Sequence, residues 1–545
     1  MGRGSYRGLG AAAAVGLAAG LLASSLPAQT PGLSVPAALD RMLQQEHAFN
    51  QQMRGYHPRV ETYIQQLGPD RDRGTVPIAD AYYLGILDLT RGFQEPLFAS
   101  SNQGRLAKEF FPVGFSGMLS PDWRHFDQQH YRFRYQGEQF LGSVRCLVFN
   151  LTPRPGTAHG SFMGRLWAED QGFHIVRFDG TYVPNPKHKY VHFDSWRANV
   201  GPDLWLPVAI YSQEEDQRTG WFSHIAFKAQ VRFWGYALSL ARPQTRYADL
   251  SVDPASAVTG AARPQQLRPP LAQQRAWEQK AAQDVLTRLQ QAGLLAPPGP
   301  VDQVLDTVAR NLEITNKLNF TPPVTCRVLL ITPLESFTVG HTIVLSRGLI
   351  DVLPDEASLA MMLAHELGHI DLGQGINTEY AFDDVMMFPD IDSFLKLRLT
   401  HSPSQEAAAD RRGLQLLDNS PYRNDLAQPG LFLEALDRAA RGVPNLLSPH
   451  LGNPMVLQGR VARMHALLTA APLLQTRDLH QLPALPLGAR IHLDPWSDQL
   501  SLLDAASPAL LSPADKLSFE ITPFMPFLER EAARELALRK DGVRY

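Results

Sequence analysis

His365-Glu366-Leu367-Gly368-His369 is the stretch of this chain that is most informative about its local fold and its chemistry. The run before it, Glu356–Ala364, consists mainly of apolar and helix-forming residues, follows the N-cap candidate Asp355, and leads to the helix-ending Gly373. On a helix, two imidazoles four residues apart project from one face and can bind one metal ion. A glutamate between them can accept a proton from a metal-bound water. Because three such polar groups would be costly to bury without a partner, the stretch predicts a buried metal-binding helix.

A second helix supplies further carboxylates. Ser402-Pro403-Ser404-Gln405 is a capping box with proline at the first helical position, so a helix is predicted to begin there. Glu406 and Asp410 lie four residues apart on its first turns and therefore share a face. Glu406 is predicted to be a metal ligand, and Asp410 is predicted to accept the outer N–H of a ligating imidazole. The alternative for this segment is a solvated acidic helix start.

Together the two segments predict one zinc ion. Two imidazoles, His365 and His369, and one carboxylate, Glu406, form a ligand set typical of catalytic zinc, with a fourth position left for water. Glu366 is then the predicted general base for hydrolysis of a peptide bond. A helix with merely packed or solvated histidines is the alternative to this interpretation.

The same residues resemble a known family. His365-Glu366-Leu367-Gly368-His369, followed by Glu406-Ala-Ala-Ala-Asp410-Arg-Arg-Gly413, is similar to the zinc peptidases that include the CAAX prenyl proteases, the HtpX-type membrane proteases and the periplasmic proteases of outer-membrane assembly. The run Ser336–Ile350 is similar to the strand and turn that precede the zinc helix in that family. The resemblance covers roughly residues 300 to 470, and it implies the same zinc ligands and the same general base.

Two features depart from the family pattern. Residues 376–400 contain several charged side chains, so no membrane span is expected there. The late His-Pro…Arg motif of the family is replaced by Asn453-Pro454 before Arg460, with His450 as the nearest histidine. Arg460 and His450, together with His341 on the preceding apolar run, are the candidates for stabilising the oxyanion or contacting the substrate.

Composition and charge narrow the class of protein. The chain has 545 residues, a length that suits several domains, and its formal net charge of −3 provides no electrostatic footprint for nucleic acid. Its two cysteines, Cys146 and Cys326, fall in different predicted domains and are expected to remain buried thiols rather than to form a disulfide.

The N-terminal residues 1–28 are predicted to be a cleavable signal peptide. Arg3 and Arg7 form a basic region, Leu9–Leu22 is a short run of small and apolar residues, and Leu26-Pro27-Ala28 resembles a signal peptidase site. The alternative is an uncleaved N-terminal anchor. We therefore expect a periplasmic or secreted protein, without an integral membrane span once the signal is removed.

Residues 29–251 are predicted to be β-rich. A helix is predicted near Ala37–Leu67, and from Tyr131 to Tyr236 seven short runs of β-forming residues alternate with turn signals. This pattern predicts an antiparallel meander, half-barrel-like and similar on pattern alone to the lipoprotein carriers. Such a domain could hold a lipid, a lipoprotein or a peptide, or it could be a structural platform.

The remaining boundaries complete an α+β multidomain prediction. Residues 252–300 are expected to be a linker and an amphipathic helix, 301–475 a mainly helical zinc metallopeptidase domain with a short edge strand, and 476–545 a C-terminal accessory segment. The predicted function is that of an exported zinc endopeptidase acting on proteins or peptides of the cell envelope, in protein quality control. The alternative is a periplasmic carrier or chaperone whose zinc site is regulatory or silent.

Overall fold

The chain combines a large antiparallel sheet with a mainly helical C-terminal part. The computed structural model describes residues 34–71, 74–90, 92–99, 115, 117–156, 160–183, 191–218, 224–240, 270–374, 397–475, 478, 481, 490–503, 519–522 and 526–530. The predicted signal peptide and most of the predicted linker lie outside these residues, as does most of the C-terminal accessory segment. Within the described ranges, no helix is both long and apolar enough to cross a membrane.

Ten strands form one open sheet after the first helix, α1 (Val35–Gln52). They are β1 (Arg59–Asp70), β2 (Gly74–Asp88), β3 (Gly92–Ala99), β4 (Tyr131–Leu141), β5 (Val144–Pro153), β6 (Phe162–Glu169), β7 (Ile175–Tyr182), β8 (Phe193–Gly201), β9 (Leu204–Arg218) and β10 (His224–Trp234). Their order in the sheet is β3-β2-β1-β10-β9-β8-β7-β6-β5-β4, and neighbouring strands are antiparallel. The seven-strand meander is thus present as β4 to β10, and it does not close into a barrel.

The predicted helix over Ala37–Leu67 is wrong in its second half. The helix ends at Gln52, and β1 begins at Arg59. Gly55 and Pro58 separate the two elements, as helix-breaking residues do. Strand β1 is buried along most of its length on both faces, so it lacks the alternation of apolar and polar residues that identifies a half-buried strand.

One face of the sheet is covered by α1. Met42 and Phe49 of this helix share a hydrophobic core with Phe178 and Phe193 of the sheet. A buried ion pair, Arg197 Nη1 to Glu46 Oε2 at 2.7 Å, joins the helix to β8. Part of this face is therefore packed against the protein's own helix.

The other face, at the β1, β2 and β10 end, supports the C-terminal part. Tyr63, Tyr82 and Trp234 belong to the same continuous hydrophobic core as the helices and strands after residue 280. The indole N–H of Trp234 also donates to the carbonyl oxygen of Gly293 at 2.6 Å. The sheet and the C-terminal part therefore share one core at this surface.

The C-terminal part contains seven α-helices, a three-stranded sheet and two small hairpins among its described residues. The helices are α2 (Pro270–Gln291), α3 (Pro300–Thr315), α4 (Arg347–Val352), α5 (Glu356–Asp371), α6 (Pro403–Asp418) and α7 (Ala427–Ala439), followed by the short α8 (His465–Ala470). The strands are β11 (Thr325–Leu329), β12 (Ser336–Val339), β13 (Thr342–Ser346), β14 (Val456–Leu457), β15 (Arg460–Val461), β16 (Ile491–Leu493) and β17 (Leu500–Leu502). The three-stranded sheet has the order β11-β13-β12, so β12 is an edge strand.

The two cysteines are separate. Cys146 lies on β5 and Cys326 on β11, and both are free and buried. This confirms the expectation of two buried thiols.

Candidate metal centre

Two capped helices carry the predicted metal ligands. Helix α5 begins where the Asp355 side chain accepts a hydrogen bond from the Ser358 amide at 2.7 Å. Helix α6 begins with the predicted capping box between Ser402 and Gln405. Both helices therefore begin at the cap residues that the sequence predicts.

Glycines allow these two helices to approach closely. A Cβ atom on Gly368 of α5 would lie 2.7 Å from the carbonyl oxygen of Ala409 on α6. A Cβ atom on Gly413 of α6 would lie 3.0 Å from the carbonyl oxygen of Ala364 on α5. The close backbone approach brings Glu406 within reach of the two histidines.

We expect Gly368→Val to separate the helices and weaken the metal site. The added side chain would meet backbone atoms of α6, and such overpacking typically costs about 1–3 kcal/mol of folding free energy. The matched control is Ala407→Val, which places the same side chain at an exposed position of α6. Metal content and thermal unfolding of the two variants provide the measurement. Equal metal content in both would contradict the role given to the close helix contact.

The predicted ligands converge on one point. His365 Nε2 lies 3.2 Å from His369 Nε2, and Glu406 oxygens lie 3.5 Å from His365 Nε2 and 3.3 Å from His369 Nε2. A tetrahedral zinc ion with bonds of about 2.0–2.2 Å has ligand atoms separated by about 3.3–3.6 Å. The observed spacing of the three side chains therefore fits a zinc ion.

Hydrogen bonds orient both imidazoles for metal binding. Asp410 Oδ1 lies 2.7 Å from His365 Nδ1, and Gln374 Oε1 lies 2.7 Å from His369 Nδ1. Since both oxygens are acceptors, each Nδ1 carries the proton and each Nε2 directs its lone pair towards the other ligands. Two facing lone pairs beside a carboxylate repel one another unless a cation lies between them.

The pKa shifts of Glu406 and His365 in the metal-free protein indicate that this site favours positive charge. Burial would raise the pKa of Glu406, but hydrogen bonds to His365 and His369 and the positive charge of Arg463 hold it well below its usual range. Burial and Arg463 lower the pKa of His365, but Asp410 and Glu406 outweigh them and raise it overall. The carboxylates around His365 therefore favour a positive charge at this point.

Glu366 is held beside this cluster by two donors. It is buried, and its Oε1 accepts hydrogen bonds from Ser336 Oγ at 2.6 Å and from Arg463 Nη1 at 3.2 Å. Arg463 Nη2 also lies 3.5 Å from Glu406 Oε2, so one guanidinium balances two carboxylates. Ser336 belongs to β12, which places the edge strand directly against the predicted general base.

Asp410 connects the metal centre to this arginine. Its second oxygen, Oδ2, accepts the amide N–H of Met464 at 2.9 Å. Met464 has a left-handed backbone conformation with φ of 54°, which turns the chain next to Arg463. One carboxylate therefore orients His365 and holds the bend that directs Arg463 inward.

The structure places Arg463, and not the predicted Arg460, beside Glu366. Arg460 has a largely exposed side chain that pairs with Asp437 at 3.3 Å. Arg463 is buried, whereas Arg460 is exposed beside the buried Val461. The chain turns at residues 463–464, directly after β15, and this turn directs Arg463 inward.

The other two candidates for substrate contact lie elsewhere. The ring of His450 packs against Tyr82 of the large sheet, with ring centroids 5.5 Å apart. His341 lies at the turn between β12 and β13, where its Nδ1 is 2.6 Å from the carbonyl oxygen of Pro322. Sequence reasoning missed a third histidine, His401, whose ring stacks on that of His369. Its position five residues before the predicted ligand Glu406 was the available signal.

These features define a metallopeptidase-like constellation: two imidazoles and a carboxylate around one point, with a second carboxylate beside them. Residues 300–388 match the sequence profile of peptidase family M48. This match confirms the resemblance seen in the motifs of the chain. The matched range contains the His365–His369 helix and ends before Glu406, so the assignment of Glu406 rests on geometry.

Other comparisons add little. No curated protein matches this chain. Among solved structures, one match is a DUF1329 family protein from Desulfovibrio piger, which is 12% identical and covers 36% of this chain and 90% of that chain, with a TM-score of 0.19. A similarity at this level carries no argument about fold or function.

Proposed function

We propose that this protein is an exported, zinc-dependent endopeptidase that cleaves proteins of the cell envelope, in protein quality control. The observation that carries the proposal is the convergence of His365, His369 and Glu406 on one point beside Glu366. The match of residues 300–388 to the profile of peptidase family M48 supports the same class of enzyme.

Each polar group of the site has a role in peptide hydrolysis. Zinc, when bound, lowers the pKa of a water molecule and polarises the peptide carbonyl. Glu366 accepts a proton from the attacking water and passes it to the leaving amine. Ser336 and Arg463 hold the carboxylate of Glu366 in one orientation through the hydrogen bonds described above. Asp410 keeps the lone pair of His365 Nε2 directed at the metal position.

An edge strand beside the site supports protein substrates. Strand β12 is the edge of the three-stranded sheet, and its Ser336 bonds Glu366. An extended substrate can add to such an edge through main-chain hydrogen bonds, which makes sequence preference loose and favours unfolded chains. Gly452 packs against the carbonyl oxygen of Ser336, so the protein's own chain covers one end of this edge and substrate must pair beyond it.

The large sheet is proposed to be a platform for the peptidase rather than a carrier. Helix α1 packs on part of one face, and the shared core with the C-terminal part covers the other face at the β1, β2 and β10 end. At these contacts, the sheet surfaces that a carrier would offer to a ligand are therefore occupied by other parts of the protein.

Export is proposed from the basic and apolar N-terminal residues. Determining the N-terminus of the mature protein tests this proposal.

The experiment that tests the catalytic proposal measures zinc and proteolysis together. Purified protein is expected to contain about one zinc per chain and to hydrolyse casein, with chelation abolishing and zinc restoring the activity. Glu406→Ala removes one of three ligands and is expected to lose most of the zinc. Glu215→Ala, at an exposed position of β9, is the control. A zinc-loaded protein without hydrolysis of casein or unstructured peptides would overturn the peptidase proposal and favour the carrier alternative.

A further inference from the structure

His401 lies against the metal centre without being part of the ligand cluster. Its ring is stacked on that of His369, with centroids 3.9 Å apart and planes 12° from parallel. The group of ligand atoms within 4.8 Å of one another consists of His365, His369 and Glu406. His401 therefore lies beside the metal position.

The backbone of His401 is held on both sides by one side chain. Asn453 Oδ1 accepts the His401 amide N–H at 2.6 Å, and Asn453 Nδ2 donates to the His401 carbonyl oxygen at 2.9 Å. These two hydrogen bonds hold the backbone of His401, and stacking on His369 holds its ring.

One nitrogen of this ring lacks a partner. The residue is only 8% exposed, and its Nε2 makes no hydrogen bond to any residue that the structure describes. A buried polar atom left unpaired typically costs about 1–3 kcal/mol, so such an atom indicates a partner that the folded chain alone does not supply. The other two imidazoles of the site use both nitrogens, with Nδ1 on an acceptor and Nε2 at the metal position.

The imidazole of His401 can act as a hydrogen-bond donor at this place. A neutral imidazole carries one N–H and can donate a hydrogen bond without bringing a further full positive charge next to the metal position. Arg463, a cationic donor nearby, is already bonded to Glu366 and Ser336.

We propose that His401 contacts the substrate, with Nε2–H donating a hydrogen bond to the oxygen of the carbonyl under attack. This inference rests on the proposed peptidase function. As the attacking oxygen adds to the carbonyl carbon, the electron pair of the C=O bond moves to this oxygen, and the imidazole N–H stabilises its developing charge. His401 thereby takes the role that the sequence suggested for His450, Arg460 or His341.

The test compares two substitutions at one position. His401→Phe keeps an aromatic ring that can stack on His369 but removes Nε2. His401→Gln replaces the ring with an amide whose N–H₂ can reach the position of Nε2. Zinc content, thermal unfolding, kcat and KM on an unstructured peptide, and affinity for a phosphinic peptide are measured for each. The phosphinic peptide mimics the tetrahedral reaction intermediate, so its binding reports the hydrogen bond without turnover. His47→Phe, on the exposed side of α1, is the control for the substitution itself.

We expect His401→Phe to keep its zinc and its unfolding temperature while kcat falls about 10²–10³-fold, with KM little changed. Affinity for the phosphinic peptide should fall with kcat, and His401→Gln should recover part of both losses. Wild-type kcat and wild-type phosphinic peptide affinity in His401→Phe would overturn the inference while leaving the peptidase function intact. Loss of zinc in that variant would also overturn it, because His401 would then support the metal rather than the substrate. A wild-type protein that binds zinc but hydrolyses nothing would instead refute the proposed function.

Discussion

Glu366→Gln is expected to retain zinc and the fold while hydrolysis falls about 10³-fold or more, since general-base catalysis contributes about 10²–10⁴-fold and no other described carboxylate has the same place. Glutamine keeps the length and shape of the side chain but cannot accept the proton from water. The hydrogen bond from Ser336 and the contact with Arg463 can be made to the amide oxygen, so the surrounding geometry should persist. The three metal ligands are untouched.

The measurements are zinc per chain, thermal unfolding, and single-turnover cleavage of a peptide. Glu356→Gln is a matched control, because Glu356 opens the same helix and bonds the Tyr422 hydroxyl, away from the metal ligands. Turnover near that of wild type in Glu366→Gln would refute the mechanism, even if zinc binding were confirmed.

A chain beginning at Pro300 is expected to fail to fold cooperatively, although it contains every predicted metal ligand. Removal of the large sheet would expose the part of the core that packs on Tyr63, Tyr82 and Trp234. It would also leave the part-buried Thr332 amide without its acceptor, because this amide donates to Glu61 Oε1 at 2.6 Å. Shared cores of this kind distinguish a platform from an independently folding module.

The sheet also holds the segment that leads into the site. Asp80 of β2 accepts the amides of Asn445 at 2.9 Å and of Leu446 at 2.8 Å. Further along this segment, the backbone amides of residues 450, 451 and 452 donate to Glu335 Oε2 at 3.1, 2.9 and 3.1 Å. The segment then reaches Asn453, which clasps His401 and whose carbonyl oxygen lies 3.4 Å from Arg463 Nη2. The sheet thus contributes to the position of the active-site residues.

A single substitution, Asp80→Ala, tests the hydrogen bonds between the sheet and this segment while the sheet stays in place. Asp80→Ala leaves the Asn445 and Leu446 amides unpaired, which should lower the free energy of unfolding by about 2–6 kcal/mol if each orphaned amide costs about 1–3 kcal/mol. Asp88→Ala is the control on the same strand, since Asp88 bonds the nearby Thr90.

For the chain that begins at Pro300, circular dichroism, zinc content and peptide cleavage are the decisive measurements. A truncated chain that folds, binds zinc and cleaves large substrates normally would refute the platform role.

Local signals were sufficient for the metal helices and for most of the sheet. The N-cap at Asp355 and the capping box at Ser402 act within one helical turn, so the sequence alone predicts where α5 and α6 begin. Residue spacing likewise determines that His365 and His369 share a face. The meander from β4 to β10 was predictable because its strands are separated by local turn signals.

Only the tertiary structure decided the features that depend on contacts distant in sequence. Strand β1 is buried on both faces, because α1 covers one and the peptidase part the other, and this removes the alternation that would have identified it. The choice of Arg463 over Arg460 depends on the bend that Asp410 holds at Met464. The place of His401 depends on Asn453, far along the chain. The sequence by itself thus determined the chemistry of the helices, because caps and spacing act locally, whereas packing between distant segments decided which further side chains reach the metal centre.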